Sequence, residues 1–143
     1  MDHFLTFPRR VLRDRSRGDA LVEFVLLAPV LLLVLFGILE VGRVVDAWLV
    51  VTNAAREGAR AGAVAYPDNA VGSTAQTAAT AYLTTSGLTT RGDVTKVSVA
   101  PPTVTGDAVQ VVVQADVTIY TPLIRTVLPA SIPVRGAVAM RRQ

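Results

Sequence analysis

The chain has no cysteine, and its single histidine is His3. Without cysteine it can form no disulfide, no thiolate metal site and no cysteine nucleophile. Beyond residue 3 there is no imidazole for acid–base catalysis or zinc binding, and the acids of the C-terminal half lack calcium-loop spacing. The sequence contains no phosphate-binding glycine loop and no serine-elbow motif. We therefore expect no catalytic residue, no metal site and no cofactor.

The excess of positive charge lies at the N-terminus. Residues 1–18 carry five arginines and two aspartates, a net charge of +3, whereas the rest of the chain holds nine cations and nine anions. A basic flank beside an apolar segment determines the orientation of that segment in a membrane. The charge therefore predicts topology, and we expect no nucleic-acid partner.

One long apolar run follows this basic flank. Residues 24–39 carry no charge, and the run extends back to Ala20 with Glu23 as its only interruption. About 20 apolar residues cross a bilayer core of roughly 30 Å. A secretory signal is the first alternative, but polar residues follow the run where a small-residue cleavage site would stand. We predict a retained membrane span over residues 20–39, with the N-terminus in the cytoplasm and the C-terminus exported.

Two residues of the run are unusual in a spanning helix. Pro29 removes a backbone donor and crowds the preceding turn, so we predict a kink there. Glu23 has two interpretations. It either lies near the cytoplasmic headgroups, where its carboxylate reaches water, or pairs with a cation of another subunit. An unpaired charge deep in the bilayer would cost on the order of 2.5–3.5 kcal/mol.

The residues around this acid form a recognisable motif. Gly18 is followed by Asp19-Ala20-Leu21-Val22-Glu23-Phe24, which resembles the processing site of type IV-like prepilins: a basic leader, a glycine, and an acid five residues after the scissile bond. The continuation, PVLLLVLFGILEVGR and then VTNAAREGARAG, is similar to TadE-like proteins of tight-adherence (Flp-type) pilus systems. The resemblance covers residue 17 to about residue 63.

The resemblance implies how the motif is used. In that family a membrane aspartyl peptidase, the prepilin peptidase, cuts after the glycine, and the acid pairs with a neighbour's free amine during assembly. By resemblance the cut falls between Gly18 and Asp19, Phe24 completes the processing motif, and Glu23 is the subunit-pairing acid. Asp19 departs from the small or hydroxyl residue more often found after the cut.

The implied function is that of a minor pilin or pseudopilin in pilus assembly, located in the cytoplasmic (inner) membrane or incorporated in an extracellular pilus. The implied partners are the prepilin peptidase, other pilins or pseudopilins, the inner-membrane assembly platform and membrane lipid. The alternative function is an unprocessed, single-pass, membrane-anchored binding module with an exported head.

The helical pattern continues beyond the span. Apolar and small residues recur at three- and four-residue steps, which predicts one helix over residues 19–64 with residues 40–64 as an exported stem. Small residues form two rows near its end: Ala54, Ala55, Gly58, Ala59 and Gly62. Such rows let another backbone approach closely. Either a sheet of the same chain or a helix of another subunit packs there.

The remaining residues, 65–143, predict a small exported head. Residues 73–83 start at Ser73, a good capping residue, and read as a short helix closed by Ser86-Gly87. Alternating apolar residues then predict three strands, near residues 95–99, 109–119 and 132–140. The predicted fold class is α+β. A long N-terminal transmembrane helix forms the spine of a head with a short helix and a three-stranded antiparallel sheet, a pilin-like lollipop by resemblance.

Two segments of the head admit two interpretations each. Residues 120–129 hold closely grouped apolar residues, which either cap the core or form a small exposed ledge. Residues 91–93 spell Arg-Gly-Asp, an adhesion tripeptide, but the same residue types make an ordinary turn before a strand. The same three letters recur at residues 17–19, where adhesion has no meaning, so we favour the turn.

Overall fold

The computed structural model describes residues 15–122, 124–126 and 128–142, with side chains from residue 18 onward. Most of the predicted leader, His3 included, lies outside the described residues. The chain divides into two units, Met1–Leu35 and Phe36–Gln143. Helix α1, Arg15–Ala63, supplies the described part of the first unit and continues into the second.

In the first unit α1 presents apolar side chains all around its surface. The described leucine, valine and phenylalanine side chains of residues 21–35 are 40–70% exposed. An 18-residue window of the helix has a mean hydropathy of 2.8 and no buried residue. A helix apolar on every side is typical of a membrane span. Among the described residues this is the one helix long and apolar enough to cross a membrane, in agreement with the predicted single-pass arrangement.

The second unit begins with the remainder of α1, which ends at Ala63. The chain then reaches Tyr66 and Pro67. The helix ends before them because proline cannot continue a helix. A 3₁₀ turn over Asp68–Ala70 then leads directly into helix α2, Val71–Thr85. The predicted short helix is therefore present.

The predicted start of α2 was wrong. Ser73 lies inside the first turn, and its hydroxyl donates to the Ala70 carbonyl at 3.0 Å. The 3₁₀ turn over Asp68–Ala70 runs directly into α2, so the helix begins at Val71 and Ser73 is not its capping residue. The predicted end is confirmed. The Ser86 amide donates to Tyr82 O at 2.9 Å, and Gly87 adopts φ +73°, a left-handed conformation that glycine reaches without strain.

A four-stranded antiparallel sheet completes the head. Its strands are β1 (Val94–Val99), β2 (Thr103–Thr105), β3 (Ala108–Thr118) and β4 (Ser131–Arg141). Strand β3 is central: β1 and β2 pair with it on one side, and β4 pairs with its whole length on the other. The predicted α+β class is confirmed.

The strand count differs from the predicted three because β2 was missed. Pro101-Pro102 and Gly106-Asp107 bound this strand, and both pairs lie between the predicted strands at residues 95–99 and 109–119. Strand β2 has three residues, all exposed, and shows no apolar alternation that could identify it. It pairs with β3 only from Thr105↔Ala108 to Thr103↔Gln110.

The core lies between the sheet and the two helices. Strand β3 contributes its alternate residues Val109, Val111, Val113, Ala115 and Val117, which are at most 1% exposed. Opposite them lie small and apolar residues of α1 and α2: Ala47, Val51, Ala54, Ala55, Ala59, Val71, Ala75, Ala79 and Leu83. Helix α1 also passes close to β4, since a Cβ added at Gly136 would lie 2.7 Å from the backbone nitrogen of Thr52. The stem of α1 is thus part of the head's core.

Candidate functional site

The proposed processing residues all lie on α1. Gly18, Asp19, Glu23 and Phe24 are exposed, and a Cβ added at Gly18 would meet nothing within 4 Å. The Gly18–Asp19 peptide bond lies within the described part of α1, which starts at Arg15. Processing at this bond stays a prediction.

The predicted kink at Pro29 stays a prediction. Helix α1 is continuous through Pro29.

The rows of small residues pack inside this chain. Ala54, Ala55 and Ala59 are fully buried. A Cβ added at Gly58 would lie 2.8 Å from Ala75 O and 3.2 Å from Val111 Cγ1, and one at Gly62 would lie 2.9 Å from Ala75 Cβ. Helix α2 and strand β3 therefore occupy the close approach that the small residues permit.

A second group of residues, not predicted from the sequence, joins α1 to the end of β3 at Thr118. We call it the polar cluster: Glu40, Arg43 and Asp46 of α1 with Arg91 and Asp93 from the turn before β1. Glu40 and Asp93 are buried, at 7% and 9% exposed. Buried carboxylates require hydrogen-bonding or charged partners, since desolvation otherwise penalises their charged form.

Glu40 receives its partners from the segment that follows β3. One carboxylate oxygen accepts hydrogen bonds from the Tyr120 amide at 2.8 Å, the Thr121 amide at 2.9 Å and the Thr121 hydroxyl at 3.0 Å. The other oxygen pairs with the Arg43 guanidinium at 2.7 Å. Glu40 therefore satisfies two backbone amides that leave the sheet at the end of β3.

Arg43 connects Glu40 to the sheet. Its Nε donates to Asp93 Oδ2 at 3.1 Å, and one Nη donates to the Thr118 carbonyl at 3.0 Å. Its guanidinium carbon lies 4.5 Å from the centre of the Tyr120 ring, within the range of a cation–π contact. The Tyr120 hydroxyl in turn donates to Gly92 O at 2.6 Å.

Arg91 closes the cluster on the other side. Its Nε and Nη2 each donate to a different oxygen of Asp93 at 3.0 Å, and its Nη1 contacts Asp46. The Thr118 amide donates to Asp93 O at 2.7 Å, so this turn is fixed to the end of β3. The Arg-Gly-Asp tripeptide is thus a turn before a strand, as favoured from the sequence.

The surroundings shift the pKa values of the Arg91–Asp93 pair in opposite directions. The hydrogen bonds from Arg91 lower the pKa of Asp93 below its usual value; burial opposes this, and the hydrogen bond from Arg43 adds to it. The hydrogen bonds to Asp93 and then to Asp46 raise the pKa of Arg91. The pair is therefore charged at neutral pH.

The α1 members of the polar cluster are regularly spaced. Residues 40, 43 and 46 recur at three-residue steps, so each is a neighbour of the next on the helix surface, and together they contact residues 91–93 and 118–121. That spacing of acid, arginine and acid is the sequence signal for the cluster. Its partners lie some 45 to 81 residues away along the chain and have no local signal.

A cavity of about 370 Å³ adjoins the polar cluster. Phe36 and Leu39 of α1 line it on one side, and Tyr120, Thr121 and Pro122 line it on the other. Tyr120 is 54% exposed, and Leu128 of the same β3–β4 connection is 45% exposed, whereas Ile119 is 1% exposed. Tyr120, Pro122 and Leu128 therefore form an exposed apolar ledge, while Ile124 is half-buried and residues 123 and 127 lie outside the described residues.

Within the part of the chain that the structure describes, no three histidine, cysteine, aspartate or glutamate residues come together to hold a metal ion.

Comparison with known proteins supports the resemblance predicted from the sequence. Residues 18–60 match the family model described as TadE-like protein. The match starts at Gly18, includes Glu23 and the apolar run, and extends through the polar residues of α1 to its buried small residues. No curated protein and no solved structure matches the chain. The resemblance to the TadE-like family is thereby confirmed for this segment, and no match covers the head after residue 60.

Proposed function

We propose that the protein is a minor pilin or pseudopilin of a tight-adherence pilus. It is inserted in the cytoplasmic membrane with its N-terminus inside, is cut after Gly18, and joins the pilus or its assembly platform through α1. The observation that carries the proposal is the match of residues 18–60 to the TadE-like model. That match starts at the glycine of the proposed cut and contains the proposed pairing acid.

The exposed surface of α1 supports this role. Between residues 21 and 35 its apolar side chains have no described neighbour that buries them, so a bilayer or other apolar helices must cover them. The five arginines of residues 1–18 favour retention of that end in the cytoplasm. The head after Phe36 is then exported, where a pilus subunit would need it.

Cleavage at Gly18 gives Glu23 a partner. The new N-terminus at Asp19 carries a free amine, and a neighbouring subunit can place this amine against a carboxylate in the apolar surroundings. An ion pair there removes the cost of two isolated charges in lipid. Glu23 is exposed on α1 and so is available to such a neighbour.

Intact-mass analysis of the protein from a host with active prepilin peptidase tests the processing step. We expect a mature chain that starts at Asp19 in that host, and the full chain in an otherwise identical host without the peptidase. Retention of residues 1–18 in both hosts would contradict processing.

Substitution of Glu23 tests assembly. Glu23→Gln keeps the shape of the side chain and removes its charge, so we expect processing to continue while the cleaved protein is lost from sheared pili. Glu57→Gln, an acid of α1 outside the proposed span whose ion pair is open to solvent, is the matched control and should leave its recovery with pili unchanged. If the recovery of Glu23→Gln with pili is unchanged, the pairing role fails, and only the interpretation of Glu23 as a carboxylate near the headgroups remains.

One observation favours the alternative function of an unprocessed membrane-anchored binding module. Asp19 stands where the family more often has a small or hydroxyl residue after the cut. The two functions differ in the mature N-terminus, so the mass analysis separates them.

A further inference from the structure

The β3–β4 connection exposes apolar residues at the end of the head where α1 enters it. Tyr120 and Leu128 are about half exposed, and Pro122 is exposed beside them. The two ends of this connection are hydrogen-bonded to each other, because the Ile119 amide donates to Ala130 O at 3.0 Å. This bond holds the ends of the segment that carries the exposed residues.

The cavity beside this ledge has two walls of different origin. One wall is Phe36 and Leu39 of α1, which belong to the apolar run predicted to span the membrane over residues 20–39. The other wall is Tyr120 and Pro122 of the head. Because the two walls face one cavity, Tyr120 and Pro122 lie level with the last turn of the predicted span.

The polar residues that line the cavity also fit a position at the end of the predicted span. Glu40 and Arg43 line it one turn beyond Phe36 and Leu39, and Arg43 lies against the Tyr120 ring. Apolar side chains on one side, charged groups on the other and a tyrosine between them match the boundary between acyl chains and headgroups, where tyrosine is enriched. The volume of about 370 Å³ is within the range of about 300–1,000 Å³ found for small-molecule sites.

We propose that this cavity and ledge bind phospholipid of the outer leaflet, so that the head rests on the membrane surface through Tyr120, Pro122 and Leu128. Acyl chain packs against Phe36, Leu39 and Pro122, and the headgroup region meets Glu40 and Arg43. The proposal rests on the membrane span of the proposed function, but not on processing or on a role in a pilus.

Depth measurement with single-cysteine variants of the full chain tests the proposal, since the chain has no cysteine of its own. Pro122→Cys and Leu128→Cys report on the ledge. Val104→Cys is the matched control, because Val104 and Leu128 are both 45% exposed. Val104 pairs with Val109 at the end of β3 near Gly62, whereas the ledge follows the end near Arg43. Those two points of α1 are roughly 28 Å apart at about 1.5 Å per residue.

Each variant carries an environment-sensitive nitrobenzoxadiazole dye and is placed in phosphatidylcholine–phosphatidylglycerol nanodiscs, one copy per disc, with no other pilus component. We expect the dye at positions 122 and 128 to be blue-shifted and quenched by lipids with a nitroxide near the headgroup. The dye at position 104 should show neither effect. A dye at Val30→Cys, in the predicted span, should be quenched by nitroxides deep in the acyl chains.

The remaining outcomes overturn the proposal in distinguishable ways. If positions 122 and 128 behave like position 104 while position 30 is deep, the span holds and the lipid site fails. If positions 122 and 128 are shielded only in discs with two copies, the ledge binds a second subunit instead of lipid. If position 30 is not deep, both the lipid site and the proposed membrane insertion fail.

Discussion

Truncation of Glu40 should destabilise the head far more than truncation of another glutamate on the same helix. In Glu40→Ala, the Tyr120 and Thr121 amides and the Thr121 hydroxyl lose one shared acceptor, and Arg43 loses one of its carboxylate partners. Arg43 keeps Asp93, so the remainder of the polar cluster stays charge-balanced.

The magnitude follows from these contacts. Hydrogen bonds to a charged group contribute about 1.5–3 kcal/mol each, and a buried donor left without a partner costs about 1–3 kcal/mol. Tyr120 is half exposed, so water can reach the freed amides and the losses do not add fully. We expect a loss of about 2–4 kcal/mol, which for a head of this size lowers Tm by at least about 8 °C.

Glu57→Ala is the matched control. Glu57 lies on α1 and pairs with an arginine three residues later, as Glu40 does, but this pair is open to solvent and reaches no other element. Solvent-exposed pairs contribute little, so Glu57→Ala should leave Tm nearly unchanged. The assay is thermal unfolding of the full chain in nanodiscs, followed by near-ultraviolet circular dichroism, with hydrogen exchange at residues 120 and 121 as the local readout. Equal Tm shifts for the two variants, or unchanged exchange at these amides in Glu40→Ala, would refute the assigned role.

Two further predictions concern the core and the acid limit. Gly58→Ala should destabilise the head by about 1–3 kcal/mol in chemical denaturation, because the added Cβ would lie 2.8 Å from Ala75 O. Gly72→Ala is the control: it lies in α2, a Cβ added there would meet nothing within 4 Å, and it should stabilise the head by about 0.5–1 kcal/mol. A change in unfolding free energy of the same sign for both variants would contradict the packing. Because the pKa of Asp93 is lowered in the folded head, its contribution is complete above its unfolded pKa of about 3.9 and is lost as pH falls further, through the folded pKa. The stability difference between the native chain and Asp93→Asn should therefore shrink below about pH 4 in denaturation measured across pH, and a constant difference would contradict the ion pair.

Features with a regular local pattern could be predicted from the sequence. Alternation along β3 identified its buried face, because a strand between two neighbours and against a helix has only one side to bury. The continuous apolar run and the three- and four-residue repeat identified α1, whose end at Ala63 is one residue from the prediction. The prepilin-like motif identified the segment that the TadE-like model matches.

Features that depend on distant residues could not be predicted. Glu40 and Asp46 appeared in the sequence only as polar residues after the apolar run, because the amides and the arginine they bind are contributed by residues 120, 121 and 91. Strand β2 exists only through its pairing with β3 and carries no alternation of its own. Local sequence patterns predict individual helices and strands, whereas the polar cluster forms only when the assembled sheet brings residues 91, 120 and 121 to α1.

The internal use of the small-residue rows limits where a second subunit can contact α1. Gly58 and Gly62 already lie against α2 and β3, so a neighbouring helix cannot approach there without displacing the head's own core. Outside the predicted span the apolar residues of α1 that remain exposed are Val41, Val45, Trp48 and Leu49. Their spacing places Val41, Val45 and Trp48 on one side of the helix, away from buried Ala47 and Ala54. Ala55 follows Trp48 by two turns on that same side and is buried, so the exposed face ends before it. Contacts between subunits along α1 are therefore expected on this exposed face and on the exposed apolar side chains of residues 21–35.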